Sequence, residues 1–161
     1  VSANVQIMND DVRRMFSYRV TIVGDMVTLW YHGCSHSAVS EPFSFVQDPK
    51  LFIKAMMSFL FAREVELGYD PKVTRLPNNK LVFEMEDDQH NPTFYCTVRT
   101  LSEYRSCNIT GRMTRVWEVD RVSGPTADAS ILRSGLVLKG VWLDESSPTE
   151  RQIQSKIFAA I

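Results

Sequence analysis

Several things are missing from these 161 residues, and each absence narrows the field. No apolar run approaches the roughly 18 residues that a membrane-crossing helix needs. No excess of positive charge exists: 18 Lys+Arg stand against 19 Asp+Glu, for a net charge of −1. Residues 1–100 carry 10 basic and 12 acidic side chains, and residues 101–161 carry 8 and 7. Neither portion has the basic field that binding a phosphate backbone requires, so general nucleic-acid affinity is not expected. Cysteine is scarce and odd in number (Cys34, Cys96, Cys107), with no Cys-x-x-Cys pair. That suits a reducing, intracellular setting, cytoplasmic or nuclear, rather than a disulfide-stapled secreted domain. There is no Gly-x-Ser-x-Gly elbow, no internal repeat and no signal-peptide pattern. The first residue is Val1, and Ile161 falls within an amphipathic pattern, so the sequence reads as a piece of a longer chain.

What is present is enough apolar material for a core: 44% hydrophobic against 23% charged residues. The polar, mixed residues 1–15 suit either a short helix or an extended lead-in. Period-two alternation over 15–22, a Gly24-Asp25 turn and a β-rich run over 26–31 predict a hairpin. Residues 33–40 read as a small-residue loop. Asp48 as cap, Pro49 at the first helical position and Gly68 as stop predict a long, heavily buried helix over 48–66. Its Met and Phe residues read as core rather than as a ligand groove. Strands are expected over 80–86, 93–99, 104–109, 114–121 and 133–143, and a helix over 149–161. The fold class is therefore α+β, with antiparallel strands packed on a long helix.

The order of the final sixty residues is strand, glycine turn, strand, loop, strand ending in a lysine, and helix bearing a glutamate. Such an order serves nucleotide chemistry. Backbone N–H groups at a glycine turn cover phosphates, a strand lysine neutralises them, and a helical carboxylate steadies the lysine. The turn would hold Gly111, the lysine is Lys139 in Leu136-Val137-Leu138-Lys139, and the carboxylate is Glu150. Helical spacing puts Glu150, Ile153 and Ile157 on one face, toward the sheet. Two readings of Glu150 stand side by side. It can pair with Lys139, or it can close a capping box with Ser147 in Ser147-Pro148-Thr149-Glu150.

Other groupings have plainer readings. His32, Cys34 and His36 alternate in a small-residue loop without a fourth ligand nearby, so no metal site is assigned. Glu84, Glu86, Asp87 and Asp88 read as a solvated turn, with His90 in the same turn lacking a base or nucleophile partner. Phe16, Tyr18, Trp30 and Tyr31 read as cross-strand packing rather than as base-stacking groups.

Three stretches together bring a family into view: residues 112–117, 137–144 (Val-Leu-Lys-Gly-Val-Trp-Leu-Asp) and 149–154 (Thr-Glu-Arg-Gln-Ile-Gln). They resemble the fungal-type protein kinase family. Residues 15–31, Pro42-Phe43-Ser44-Phe45 and Glu66-Leu67-Gly68-Tyr69-Asp70-Pro71 resemble the region preceding its kinase domain. The resemblance implies an accessory α+β region over 1–100 and the beginning of a kinase-like N-lobe, three strands and a helix, over 101–161. It implies Lys139 and Glu150 as the catalytic pair, and Gly111, Thr114, Val116 and Lys139 as nucleotide-contacting residues. It also implies ATP and Mg²⁺ as cofactors of the full-length parent, and a protein Ser/Thr substrate.

Three departures bear on that expectation. Met113 stands where the family's second loop glycine is expected, and Arg115 where many kinases carry the third. Side chains there would obstruct close approach of a phosphate. Gly140 replaces an acidic residue after the lysine. Neither His-Arg-Asp nor Asp-Phe-Gly occurs in the 161 residues, so this chain by itself is expected to transfer no phosphoryl group. The alternative reading is a non-catalytic, pseudokinase-like binding or scaffold module. An upstream nuclease-like role for 1–100 lacks a visible paired carboxylate–lysine site.

Overall fold

The computed structural model describes residues 3–34, 36–103, 113–142 and 148–159. The opening residues form a helix, α1 (Ala3–Asp10), which buries Val5 and Met8 one turn apart. The alternating segment becomes β1 (Phe16–Val23) and β2 (Met26–Gly33), the expected hairpin around Gly24-Asp25, paired antiparallel with Val23 opposite Met26. Gly24 holds a positive φ of 62°, as the first position of a two-residue type II′ hairpin requires. Residues read as a loop contribute a short strand, β3 (Ser37–Val39). With β4 (Phe43–Ser44) it pairs along the other edge of β2, completing a four-stranded sheet.

The helix α2 (Pro49–Leu60) starts as expected, with the Asp48 carboxylate accepting from the Leu51 amide at 3.0 Å and Pro49 at its first turn. Its length and burial differ from the sequence expectation. It ends at Leu60 rather than continuing to 66, because the Glu66 carboxylate takes the Arg63 amide at 2.8 Å and starts a separate turn. No residue of α2 is buried. Phe52, Ala55, Met56 and Phe59 are half-buried along one stripe, while Leu51, Ile53, Met57 and Leu60 are exposed. The stripe meets aromatic neighbours at Phe45 (5.6 Å from Phe52) and Tyr18 (5.3 Å from Phe59).

Gly68, expected to stop the helix, instead makes a close crossing. Its φ is +96°, its carbonyl accepts from the Met15 amide at 2.8 Å, and an added Cβ would lie 2.2 Å from the Phe16 carbonyl oxygen. Around it, the Arg14 guanidinium donates to the Leu67 carbonyl and the Tyr69 hydroxyl, both at 2.6 Å, and lies over the Tyr69 ring. These contacts, with the Asp70 amide donating to the Arg13 carbonyl at 2.7 Å, knit residues 13–16 to 67–70.

The second sheet is an antiparallel meander of β5 (Val73–Arg75), β6 (Leu81–Glu86), β7 (Pro92–Glu103), β8 (Arg115–Val122) and β9 (Ile131–Gly140), adjacent in that order. Residue 100 falls inside β7, so strands from both sides of that position share one sheet. The strand expected over 104–109 and the Gly111 turn lie outside the described residues. Buried residues include Leu76, Val82 and Val122 at one end of the sheet, and Trp117 and Val119 farther along β8. The chain is thus α+β with two antiparallel sheets. The described residues close with α3 (Glu150–Ala159), none of whose residues is buried.

Candidate functional site

Strand alternation and register fix which side chains share a face. On β8, Arg115, Trp117 and Val119 point into the protein, so Val116 and Glu118 point the other way. Val116 pairs with Lys139 on β9 and with Ser102 on β7, while Glu118 pairs with Val137 and Arg99. Directly opposed residues present their side chains on the same face. Val116, Val137 and Lys139 therefore form one patch, with Ser102 beside it and an Arg99–Glu118 ion pair at 2.5 Å along the same band. Thr114 precedes Val116 by two residues, the same-face step along an extended chain. Val137 is 65% exposed and the Lys139 side chain 41%, so this patch is open to solvent.

The Lys139 ammonium is hydrogen-bonded and ion-paired to the Glu150 carboxylate, joining the end of β9 to the first turn of α3. Of the two readings of Glu150, pairing with Lys139 is the one that falls on described residues. The reciprocal capping box is formed by Thr149 and Gln152: the Gln152 amide donates to Thr149 Oγ1 at 3.3 Å, and the Thr149 amide donates to Gln152 Oε1 at 2.8 Å. That box lies two residues beyond the expected one, whose Ser147 is outside the described residues. Glu150 sits at the first helical position, where a carboxylate also suits the helix dipole, and its side chain reaches Lys139. The rest of the expected face does not close on the sheet. Ile153 and Ile157 are 44% and 54% exposed, and a second ion pair joins Arg151 to Asp88 at 3.4 Å.

Two of the three departures take on a different meaning. Arg115 does not lie across the Lys139 face. Its side chain is 6% exposed on the opposite side of the sheet, donating to the Asn9 carbonyl of α1 at 2.5 Å. Met113 is likewise buried, yet its backbone keeps a positive φ of 39°, the region in which glycine is at ease. Both side chains thus turn inward rather than over the Lys139 face. Gly140 is explained by packing, since an added Cβ would approach the Trp117 indole to 3.0 Å. A cavity of about 230 Å³ lined by Phe83, Met113, Trp117 and Trp142 lies on this inward side, away from Lys139.

The remaining groupings are occupied structurally. His32 is buried, stacks on Trp30 and has Nδ1 2.8 Å from the Ser37 hydroxyl. Burial pushes the Cys34 thiol up to about 11, against a small opposing pull from Arg115, so it is protonated at neutral pH. Asp87 accepts from the Gln89 and Asn91 amides, Glu86 pairs with Lys72 at 3.0 Å, and Asp88 reaches Arg151. Phe16, Tyr18 and Tyr31 contact one another across the hairpin, while Trp30, on the other face, donates to the Thr21 hydroxyl. Among the described residues no group of three or more His, Cys, Asp or Glu is arranged to hold a metal ion. No helix among them is long and apolar enough to cross a membrane.

A chain with a five-stranded antiparallel sheet, a lysine near the end of its last strand and a glutamate partner on the following helix has the makings of a protein-kinase small lobe. The family comparison agrees over nearly the whole length: the fungal protein kinase model matches residues 1–159. The chain belongs to the fungal protein kinase family. No curated protein and no solved structure matches it.

Ser102, Val137, Arg99 and Glu118 went unmarked as neighbours of the site. The signal for Val137 was present, two residues before Lys139 on the same strand. The others depend on bulges in β7 that shift its pairing between Thr97 and Arg99 and between Thr100 and Ser102, and a linear pattern does not show these.

Proposed function

We propose that this chain supplies the nucleotide-facing part of a fungal protein kinase whose full-length form transfers the ATP γ-phosphoryl group to protein Ser or Thr. One observation carries the reading: Lys139, held by Glu150, stands beside Val116 and Val137 on an open sheet face. An ammonium there suits phosphate oxygens, and adjacent valines suit the flat apolar surface of a base. The positive φ at Met113 and the inward turn of Arg115 support close approach of phosphate, because neither side chain lies over that face. Residues 1–100 are proposed to precede the lobe in function while sharing its second sheet through β5–β7. An intracellular setting follows from the use of ATP.

Among the described residues no group of three or more His, Cys, Asp or Glu is arranged to hold a metal ion. Nor does the sequence contain a His-Arg-Asp loop to accept the substrate hydroxyl's proton. The role proposed for these 161 residues is therefore binding and orientation, with Lys139 placing negative charge and Glu150 restricting the lysine's motion. The scaffold reading predicts no nucleotide affinity.

Titration of the chain with magnesium-ATP distinguishes the two readings. Millimolar or tighter binding, weakened at least about fivefold in Lys139→Met, supports the kinase reading. Saturable binding indifferent to Lys139, or no binding at all, sinks it.

A further inference from the structure

A buried arginine is costly unless its charge and N–H groups are met, so the partners of Arg115 say what it does. It is the first residue of β8, and Glu103, directly opposite on β7, lies 3.4 Å from its Nε. Its Nη2 donates to the Asn9 carbonyl at 2.5 Å and lies 3.5 Å from that of Met8. Those carbonyls belong to the last turn of α1, where helix carbonyls lack intrahelical donors and the dipole is negative. The helix is itself anchored, with Val5 and Met8 3% and 1% exposed. The strand entering the site is therefore tied from below to a segment more than a hundred residues earlier.

The consequence for the opposite face is geometric. Side chains alternate along a strand, so holding Arg115 inward turns Thr114 and Val116 outward, where Val116 meets Lys139. A slip of one residue would reverse every one of these assignments. We infer that Arg115 is a positioning residue: by clamping the start of β8 to the C-terminal turn of α1, it presents Thr114 and Val116 to the Lys139 face. The inference rests on the nucleotide reading above for what that face binds, and it makes α1 a working part of the site.

The test uses the whole 161-residue chain and three variants: Arg115→Met, which keeps bulk without charge, Arg115→Lys, which keeps charge without the fork, and Glu103→Gln. Amide exchange is read for 113–117 and for α1, with Leu81–Glu86 as the control for global opening. Magnesium-ATP affinity is read in parallel, at a temperature where every variant is folded. Arg115→Met is expected to speed exchange at 113–117 and in α1 about tenfold or more while β6 changes less than about threefold. It should also weaken nucleotide binding about fivefold or more, with Arg115→Lys intermediate. If Arg115→Met does not fold, Glu103→Gln must show the same localised exchange at smaller size.

Acceleration spread evenly over both sheets would overturn the inference, as would wild-type affinity in Arg115→Met. Failure of the wild-type chain to bind nucleotide would instead sink the reading of the site, and the exchange pattern would still decide whether Arg115 positions the strand.

Discussion

Gly68 offers a sharp test of the packing, because Gly24 provides an internal control. Both have positive φ, +96° and +62°, so an alanine at either position meets a backbone penalty of about 1 kcal/mol or more. The surroundings differ. A Cβ at Gly24 has no atom within 4 Å, whereas at Gly68 it would lie 2.2 Å from the Phe16 carbonyl oxygen. Backbone atoms cannot swing aside as a flexible side chain can. Relief requires parting the crossing where the Met15 amide donates to the Gly68 carbonyl and Arg14 reaches Leu67 and Tyr69. Overpacking of this kind typically costs about 1–3 kcal/mol beyond the backbone term. Gly68→Ala should therefore lose about 2–4 kcal/mol, and Gly24→Ala only about 1 kcal/mol. Urea unfolding monitored by tryptophan fluorescence gives both numbers, provided the m-values agree. Equal losses in the two variants would refute the close crossing of residues 67–69 over the start of β1.

Two further predictions concern charge. The Lys139–Glu150 pair is exposed at both ends (41% and 71% of each side chain), so a double-mutant cycle with Lys139→Met and Glu150→Gln should give a coupling of only about 0.2–1 kcal/mol at low salt, fading by 1 M NaCl. A coupling above about 2 kcal/mol would mean the pair is sequestered, contrary to this structure. Burial alone would raise the Asp11 carboxyl, but hydrogen bonds and charge from Arg13, with Arg75 adding to them, hold it below its ordinary value of 3.8. Its folded form thus binds a proton less readily than its unfolded form. The stability it contributes is complete above about pH 4–5 and is lost as pH falls through the depressed value. Asp11→Asn should flatten this acid limb of a stability–pH curve, and an unchanged limb would remove Asp11 from the account.

Much of the architecture can be read from the sequence where local and tertiary demands agree. The β1–β2 hairpin follows from alternation and a Gly-Asp turn, and the start of α2 follows from Asp48-Pro49. The far end of α2 could not be read this way. Nothing in the periodicity of 48–66 reveals that Glu66 captures the Arg63 amide, or that Gly68 is needed by Phe16 fifty residues away. The apolar richness of α2 suggested burial on all sides, but only the 52–55–56–59 stripe meets neighbours. At the site, the lysine strand and the glutamate could be identified, while the Thr149–Gln152 capping box was not singled out. Arg115 gave the least local warning. Its role depends on carbonyls of residues 8 and 9, and a contact across that separation leaves no mark on local pattern.

The central claim is that nucleotide meets the sheet on the side of Lys139. Backbone and methyl NMR shifts of the chain titrated with magnesium-ATP test it most directly. The account predicts saturable changes concentrated at Thr114, Val116, Val137 and Lys139, extending to Glu150. Changes gathered instead around Phe83, Trp117 and Trp142 on the inward side, or none at saturating nucleotide, would contradict it.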